Sequence, residues 1–492
     1  MKIFNVNLKL FLIVIIGLFI RVYYFVGLNW SDDVYYVYLA HQVLEGEFKP
    51  SHMTSLRLAM IFPLAFFFKI LGYSQISGVL YPLICSIGNI ILAYILAKLV
   101  LGEKAGLISA LIMAFYPLDV NYATWIMPDV PLSFFHGLSV YLFLLGEKNR
   151  SSFKMILSGI FVGISYLLKY SGLLILIFFA CYIFIRFLIY RKFEIFYLYS
   201  IFGLLIVFFV EGIYYYFSVG DFLLQFHSGF EYYSQKERLK YEFNTDFSFY
   251  PRVMLNLDNN WRFMIYNKYT YFGIFYYLFI LSSIYLLLKR QSSAYLFLLW
   301  FASVFLYQQF GSMSYKEYIP MHRLDRHLTT LSIPSVIIVA TFFNSILNIK
   351  PIKNLGLLVL VLLLLSFLSY LENITELQRD AVKDTHLIFD ELKKLPEKKV
   401  FSDSGTIGHL NFYFGFKRKD LYSLDYKTCE DLKDSYVVIN ATRGWIEFWP
   451  MLQSYPACVF KRENWILITT IKSDAQSYPY NLFDPEIFYV SE

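Results

Sequence analysis

The sequence predicts an α-helical polytopic membrane protein that carries a small soluble α/β domain at its C-terminus, and three observations predict it. Of 492 residues, 58% are hydrophobic and 16% charged, whereas an ordinary soluble domain is about one quarter charged. Apolar runs of the length needed to cross a bilayer, roughly twenty residues, recur from Leu8 to Tyr370. Beyond residue 373 the composition changes to short alternating segments separated by turn residues. The expected organisation is a membrane module over 1–372, with an acidic first outer loop at 29–56, followed by a soluble domain over 373–492.

About eleven spans are expected, at 8–28, 77–98, 105–122, 129–146, 155–168, 171–190, 195–217, 269–288, 293–311, 327–347 and 354–371. Only Lys2 and Lys9 precede or open the first, and no small-residue cleavage site follows it, so it reads as a retained helix and not a signal peptide. The segment 57–71, RLAMIFPLAFFFKIL, is short and interrupted by Pro63, and reads as interfacial or re-entrant. Alternate loops carry the cations: Lys98 and Lys104, then Lys148, Arg150 and Lys154, then Arg186, Arg191 and Lys192, then Lys289 and Arg290, then Lys350 and Lys353. The positive-inside rule assigns these loops to the cytoplasm. The first outer loop, the turn at 122–129, the 218–267 and 312–326 loops and the C-terminal domain then face outside a cell membrane.

In the C-terminal domain a helix is expected around 376–395, followed by strands in KKVFSDSG, DLYSLDY, DSYVVINA and NWILITTI. About 120 residues are enough for a core of their own, and such a domain could select an acceptor or cap a site. Cys85 and Cys181 lie in apolar runs and read as packing residues, while Cys429 and Cys458 could pair in an oxidising compartment. Asn373 and Asn440 open glycosylation sequons on the expected outer side. The net charge of +6 is spread over short loops, so membrane lipids are the expected partner and nucleic acid is not. No CxxC or HExxH spacing is present; a divalent cation assisted by His41 and His52 is the minor alternative to ordinary hydrogen-bonding roles for these two residues.

Several polar residues on the outer face could carry chemistry. Asp32 and Asp33, in NWSDDVYYVYLAHQVLEGEF, are adjacent carboxylates beside a membrane, where each is costly and opposes ionisation of the other; the plain alternative is a helix start at Ser31-Asp32-Asp33. Asp129, between Pro128 and Pro131, also suits a helix N-terminus. Lys169, in SYLLKYSGLL, either snorkels to the interface or holds an anionic head group. Arg326 and His327, in HRLDRHLTTLSIP, open a span where the dipole disfavours a cation; Arg with exposed backbone N–H groups would bind phosphate, and an interfacial anchor is the alternative. Arg57 has the same two readings. The 218–267 loop, rich in Tyr, Phe and charge, reads as an amphipathic lid or as a solvated loop. Acids and cations gathered on one face suggest transfer from a phosphorylated carrier, with one carboxylate as base and the cations stabilising the departing phosphate. A non-enzymatic transporter or flippase of a lipid-linked sugar is the alternative, but it would set its charges near the midplane, often within repeated halves.

The chain resembles the GT-C glycosyltransferases of the protein O-mannosyltransferase and aminoarabinose-transferase type. The resemblance runs in order through SDDVYYVYLAHQVLEGEF, IFPLAFFFKILG, the run ending at Pro117, WIMPDVPLSFF and GISYLLKYSGLL, and is clearest over residues 10–190. It implies a polyprenyl-phosphate (dolichyl or undecaprenyl) sugar as donor, a hydroxyl on a protein, lipid or glycan as acceptor, and inversion at the sugar. It implies Asp32 as catalytic base, Asp33 in place of the usual Glu as an orienting group, and Tyr36 as the following tyrosine. HRLDRHLTTLSIP resembles the later Arg-Tyr…Pro segment with His327 in place of Tyr. The usual Pro-rich phrase is here TSLRLAMIFP, with Arg57, and the soluble module of protein mannosyltransferases is not evident.

Overall fold

A computed structural model describes residues 2–29, 32–192, 194–234, 246–255, 257, 272–314, 317–440, 455–462, 464–472 and 484–491. Its chain divides into two compact units. The first holds residues 1–25, 49–61 and 81–372; the second holds 26–48, 62–80 and 373–492.

Helices dominate because long apolar runs in a bilayer can satisfy their backbone groups only internally. In order they are α1 (Lys2–Tyr23), α2 (Asp32–Glu45), α3 (Leu58–Leu71), α4 (Gln75–Leu101), α5 (Glu103–Phe115), α6 (Pro117–Ala123), α7 (Asp129–Asn149) and α8 (Ser152–Leu168). There follow α9 (Ile175–Tyr190), α10 (Leu198–Val219), α11 (Leu224–Ser234), α12 (Phe249–Leu255), α13 (Phe275–Leu288), α14 (Tyr295–Phe310), α15 (Ser332–Ile346) and α16 (Lys353–Leu392). Among the described residues seven helical segments are long and apolar enough to cross a membrane, or eight if α5 and α6 count as one. With α1 and the shorter apolar helices α8 and α13, every expected span coincides with a helix, and the chain is a multi-pass membrane protein. α3 has fourteen residues with Pro63 inside, short of the roughly twenty that cross a bilayer, as is α13 over its described residues.

Three expectations need correction. The first span ends at Tyr23, not residue 28. The span expected at 105–122 is bent by 54° between α5 and α6, because Pro117 has no N–H for the helical ladder. The helix expected at 376–395 is no separate element: α16 runs unbroken for 40 residues out of the last apolar span.

In the first unit α8 and α10 pack unusually closely. A Cβ on Gly159 would lie 1.8 Å from the Ser200 carbonyl oxygen, and one on Gly203 would lie 2.0 Å from that of Ile156, the close backbone approach that small residues permit between membrane helices. The start of α6 is held by one salt bridge and two hydrogen bonds from neutral groups. Arg21 of α1 donates to Asp119 at 2.6 Å, Asn89 of α4 donates to it at 2.7 Å, and Ser86 also bonds to it. Arg21 and Asp119 are 0% and 1% exposed, so each depends on the other to offset a large desolvation cost.

In the second unit five strands, β1 (Lys399–Ser402), β2 (Leu421–Ser423), β3 (Ser435–Ile439), β4 (Trp465–Thr470) and β5 (Glu486–Val490), form one sheet in the order β2-β1-β3-β5-β4. β1 is parallel to β2 and β3, whereas β5 is antiparallel to β3 and β4. Every residue of β3 is buried, as befits a central strand covered on both faces. One face packs Val400, Leu421, Val438 and Ile487 against Ile388 and Leu392 of α16 and against Leu410 of α17 (Ser404–Tyr413). The other face gathers Phe401, Leu432, Val437 and Val459. α17 starts where Asp403 accepts from the Thr406 N–H at 2.9 Å, a standard N-cap. The four expected strands are β1 to β4; β5 was not anticipated.

Cys429 and Cys458 form a disulfide. The sequon residues differ in burial, Asn373 being half-buried. Thr375 is 1% exposed inside α16, and Asn440 is 4% exposed and donates to Thr406 at 3.0 Å. The helix start at Ser31 and much of the 218–267 loop lie outside the described residues.

Candidate active site

In the first unit, Asp129 is the first residue of α7, after Pro128. Lys169 stands in extended backbone between α8 and a 3-10 turn, Tyr170–Leu174. The chain folds over at this break because Gly172 approaches the Ser165 carbonyl carbon so closely that a Cβ would stand 2.2 Å away. Lys169 Nζ donates to Asp129 Oδ1 at 3.1 Å, with the side chains 17% and 2% exposed. Asp129 Oδ2 has no hydrogen-bond partner among the described residues.

Arg326 lies in the 3-10 turn Asp325–Leu331 that leads into α15. Thr329 ties this turn to α7: its hydroxyl lies 3.2 Å from the Asp129 carbonyl and 2.7 Å from that of Arg326. Tyr122 of α6 donates to Asp325 at 3.1 Å and stacks on Trp125 at 5.1 Å. His327 Nδ1 lies 3.2 Å from the carbonyl oxygen of His322. Arg57 is half-buried, and its carbonyl accepts from Met60 and Ile61 at the start of α3.

These groups form one electrostatic cluster. Burial pushes the Lys169 ammonium down to about 8; Asp129 opposes that shift, while Arg326 and Arg57 reinforce it. His322 is pushed down to about 3 by burial and then by Lys169 and Arg326. Arg326 and Arg57 therefore both act on Lys169, the residue paired with Asp129. An anion with several oxygens matches such a grouping of a lysine and two arginines.

Asp32, Asp33 and Tyr36 belong to the second unit, all on α2. The two acids differ in their surroundings. Asp33 is fully buried and its Oδ2 accepts from the Asn29 backbone N–H, whereas Asp32 is only half-buried. Tyr36 is fully buried one turn further on. α17 packs against α2 at Gly408, where a Cβ would meet Val34 at 2.3 Å. The next residue, His409, is fully buried; burial holds it down to about 4, and the Gly405 and Asn29 backbones oppose that shift.

His41 stacks on Phe416 with ring centroids 4.0 Å apart and bonds Tyr73 Oη at 2.7 Å, so its ring is taken up by packing. His52 bonds Ser51 at 3.0 Å. Among the described residues no three His, Cys, Asp or Glu side chains are grouped to hold a metal.

Residues 58–214 match the sequence family described as dolichyl-phosphate-mannose-protein mannosyltransferase. An uncharacterised protein of Aquifex aeolicus is 26% identical over 363 residues, which cover 71% of this chain and 67% of that one. The crystal structure of ArnT from Cupriavidus metallidurans bound to undecaprenyl phosphate is similar with a TM-score of 0.63 at 12% identity, covering 98% of both chains. The Archaeoglobus fulgidus oligosaccharyltransferase AglB, in complex with an inhibitory peptide and a dolichol-phosphate, is similar with a TM-score of 0.53 at 11% identity, covering 92% of this chain and 71% of that one. The fold is the GT-C membrane fold. The family match spans about a third of the chain, and with these structures it makes the chain similar to glycosyltransferases of the GT-C mannosyl- and aminoarabinosyl-transferase type.

Sequence reasoning passed over Arg21, Asp119, Glu211 and His409. Arg21 and Asp119 were visible as charges at the edges of apolar runs, but no spacing rule pairs residues 98 positions apart.

Proposed function

We propose that the protein transfers a sugar from a polyprenyl phosphate, dolichyl or undecaprenyl, to an acceptor hydroxyl on a protein, lipid or glycan at the outer membrane face. The observation that carries this reading is the grouping of three cations: Lys169, paired with Asp129, and Arg326 and Arg57, which both act on it. A lipid phosphate has the charge and the oxygens to occupy it. The two similar structures whose bound ligands are undecaprenyl phosphate and dolichol-phosphate support the same donor class.

In this reaction Asp32 takes the proton of the acceptor hydroxyl as its oxygen bonds to the anomeric carbon. The bond from that carbon to the phosphate oxygen breaks on the opposite side, so configuration inverts. The electron pair leaves with the polyprenyl phosphate, whose added charge Lys169, Arg326 and Arg57 stabilise. Asp129 orients Lys169, and His327 lines the same turn as Arg326. Asp33, bonded to the Asn29 N–H, holds α2 at its first turn, and Tyr36 packs beneath. The half-buried state of Asp32 and full burial of Asp33 support giving the proton to Asp32. The asymmetry of basic loops and the Cys429–Cys458 disulfide support an extracytoplasmic C-terminal unit over 373–492, with 1–372 as the transferase module.

The test is mass spectrometry of lipid that copurifies with the protein from its native membrane. A polyprenyl phosphate, bare or sugar-linked, is expected, and its loss from Arg326→Gln is expected with it. Copurification of phospholipid alone, unchanged in Arg326→Gln, overturns the donor assignment.

A further inference from the structure

A buried polar chain lies behind the cationic cluster, and none of the steps above uses it. Tyr215 of α10 is 1% exposed and donates to the carbonyl of Leu56 at 3.2 Å. Leu56 immediately precedes Arg57, and its C=O shares a rigid peptide plane with the Arg57 N–H, which itself donates to Thr54 at 3.3 Å. The plane that launches Arg57 is thus fixed at both ends. The Tyr215 hydroxyl also lies 3.2 Å from the side-chain amide of Gln225, the second residue of α11, which is 4% exposed. The Gln225 backbone carbonyl in turn accepts from the hydroxyl of Tyr170, the residue after Lys169. One glutamine of α11 therefore braces two turns, one carrying Arg57 and the other Lys169.

The donor count agrees with a directed chain. A phenol has one proton, and the Tyr215 hydroxyl has three groups in reach: the Leu56 carbonyl, the Gln225 amide and the Glu211 carboxyl. With its amide turned so that Nε2 faces the phenol, Gln225 donates to Tyr215, and the chain runs from Gln225 through Tyr215 to Leu56 when the Glu211 carboxyl is protonated and donates as well. Glu211, one helical turn before Tyr215, is 5% exposed, and its Oε1 has no hydrogen-bond partner among the described residues. Burying this many polar groups among apolar helices costs on the order of 1–3 kcal/mol for each one left unmatched. A span that needed only to pack would do better with phenylalanine and leucine.

We propose that Tyr215 and Gln225 are positioning residues for the carrier phosphate, fixing the separation of the Arg57 and Lys169 turns so that both cations reach one phosphate. This inference rests on the function proposed above.

The test is a double-mutant cycle on the full-length protein in nanodiscs, with undecaprenyl phosphate as the binding probe and Lys169→Ala as control. Tyr215→Phe keeps the ring and its packing; Gln225→Met is a second variant for the same contact. Each is expected to weaken binding about fivefold, the worth of one ordinary hydrogen bond. Neither is expected to weaken it further when Arg57 is already Ala, because both act through that residue. Wild-type affinity in Tyr215→Phe and Gln225→Met, or the same loss with and without Arg57, overturns the inference while leaving the phosphate site standing if Lys169→Ala binds weakly. Absence of binding by the wild type, or equal binding by Lys169→Ala, overturns the functional reading and this inference with it.

Discussion

Lys169 offers a prediction in which pH and substitution must agree. Its ammonium is held down to about 8, chiefly by burial, so it is charged at pH 7 and mostly neutral at pH 9. A phosphate monoester is almost fully ionised above roughly pH 7 (second pKa about 6), so the ligand contributes no titration in that window. If the ammonium grips the carrier phosphate, the Kd for undecaprenyl phosphate should rise about tenfold from pH 7 to 9, one proton per site. Lys169→Met removes a charge-assisted hydrogen bond of about 1.5–3 kcal/mol, so affinity at pH 7 should fall about 10- to 150-fold and the dependence on pH should disappear. The sign for stability follows from the same shift. The folded pKa lies below the ordinary lysine value of 10.5, so the unfolded chain holds the extra proton between about 8 and 10.5. The contribution of Lys169 to stability therefore rises with pH through that window. Combining Lys169→Met with Asp129→Asn avoids leaving a buried carboxylate unpaired. Titration calorimetry in nanodiscs at several pH values measures the effect. A wild-type Kd that is flat from pH 7 to 9, or a slope that survives in Lys169→Met, refutes the reasoning.

Three further outcomes are expected. Asp32→Asn should abolish sugar transfer while leaving undecaprenyl phosphate affinity within about twofold, since a base acts on the acceptor and not on the carrier; paired transfer and binding assays check this. Arg21→Met should destabilise the protein by about 3–5 kcal/mol by leaving Asp119 buried with only neutral donors, and Arg21→Met with Asp119→Leu should recover most of the loss; thermal unfolding in detergent reads both. Opening the Cys429–Cys458 bond, which closes a separation of 29 residues, should destabilise the C-terminal unit by about 3.5 kcal/mol. Limited proteolysis of Cys429→Ser should show earlier cleavage there, and added reductant should reproduce it in the wild type.

The membrane helices were legible because each needs a continuous apolar run, and that requirement is local. Breaks were less so: Pro117 marked the bend between α5 and α6, but the apolar residues around it read as one span. α16 shows the opposite error, since the polar turn at Glu372–Asn373 suggested a boundary where the helix continues. In the site, Asp129 and Lys169 were each ambiguous alone, and only the 3.1 Å bond between them separates a dipole-complementing acid and a snorkelling lysine from a paired buried site. Arg57 had two readings in sequence, phosphate cluster or interfacial anchor, and its action on Lys169 favours the first. Tyr215 and Gln225 were invisible in a chain with 43 tyrosines, because what distinguishes them is the carbonyl they reach, more than 150 residues away in the case of Leu56. His41 has the ordinary hydrogen-bonding role expected of it, to Tyr73, and sequence did not show that its neighbours are aromatic rings.

The central claim is that a sugar leaves a polyprenyl phosphate for an acceptor hydroxyl. The most direct measurement supplies the purified protein with a polyprenyl-phosphate sugar labelled in the sugar, together with an envelope extract as acceptor, and follows both label and lipid by mass spectrometry. The label should enter a new glycoside of opposite anomeric configuration, with one polyprenyl phosphate released for each sugar transferred. Label that stays on the carrier with every candidate acceptor, or that moves between leaflets still attached to its phosphate, contradicts the account.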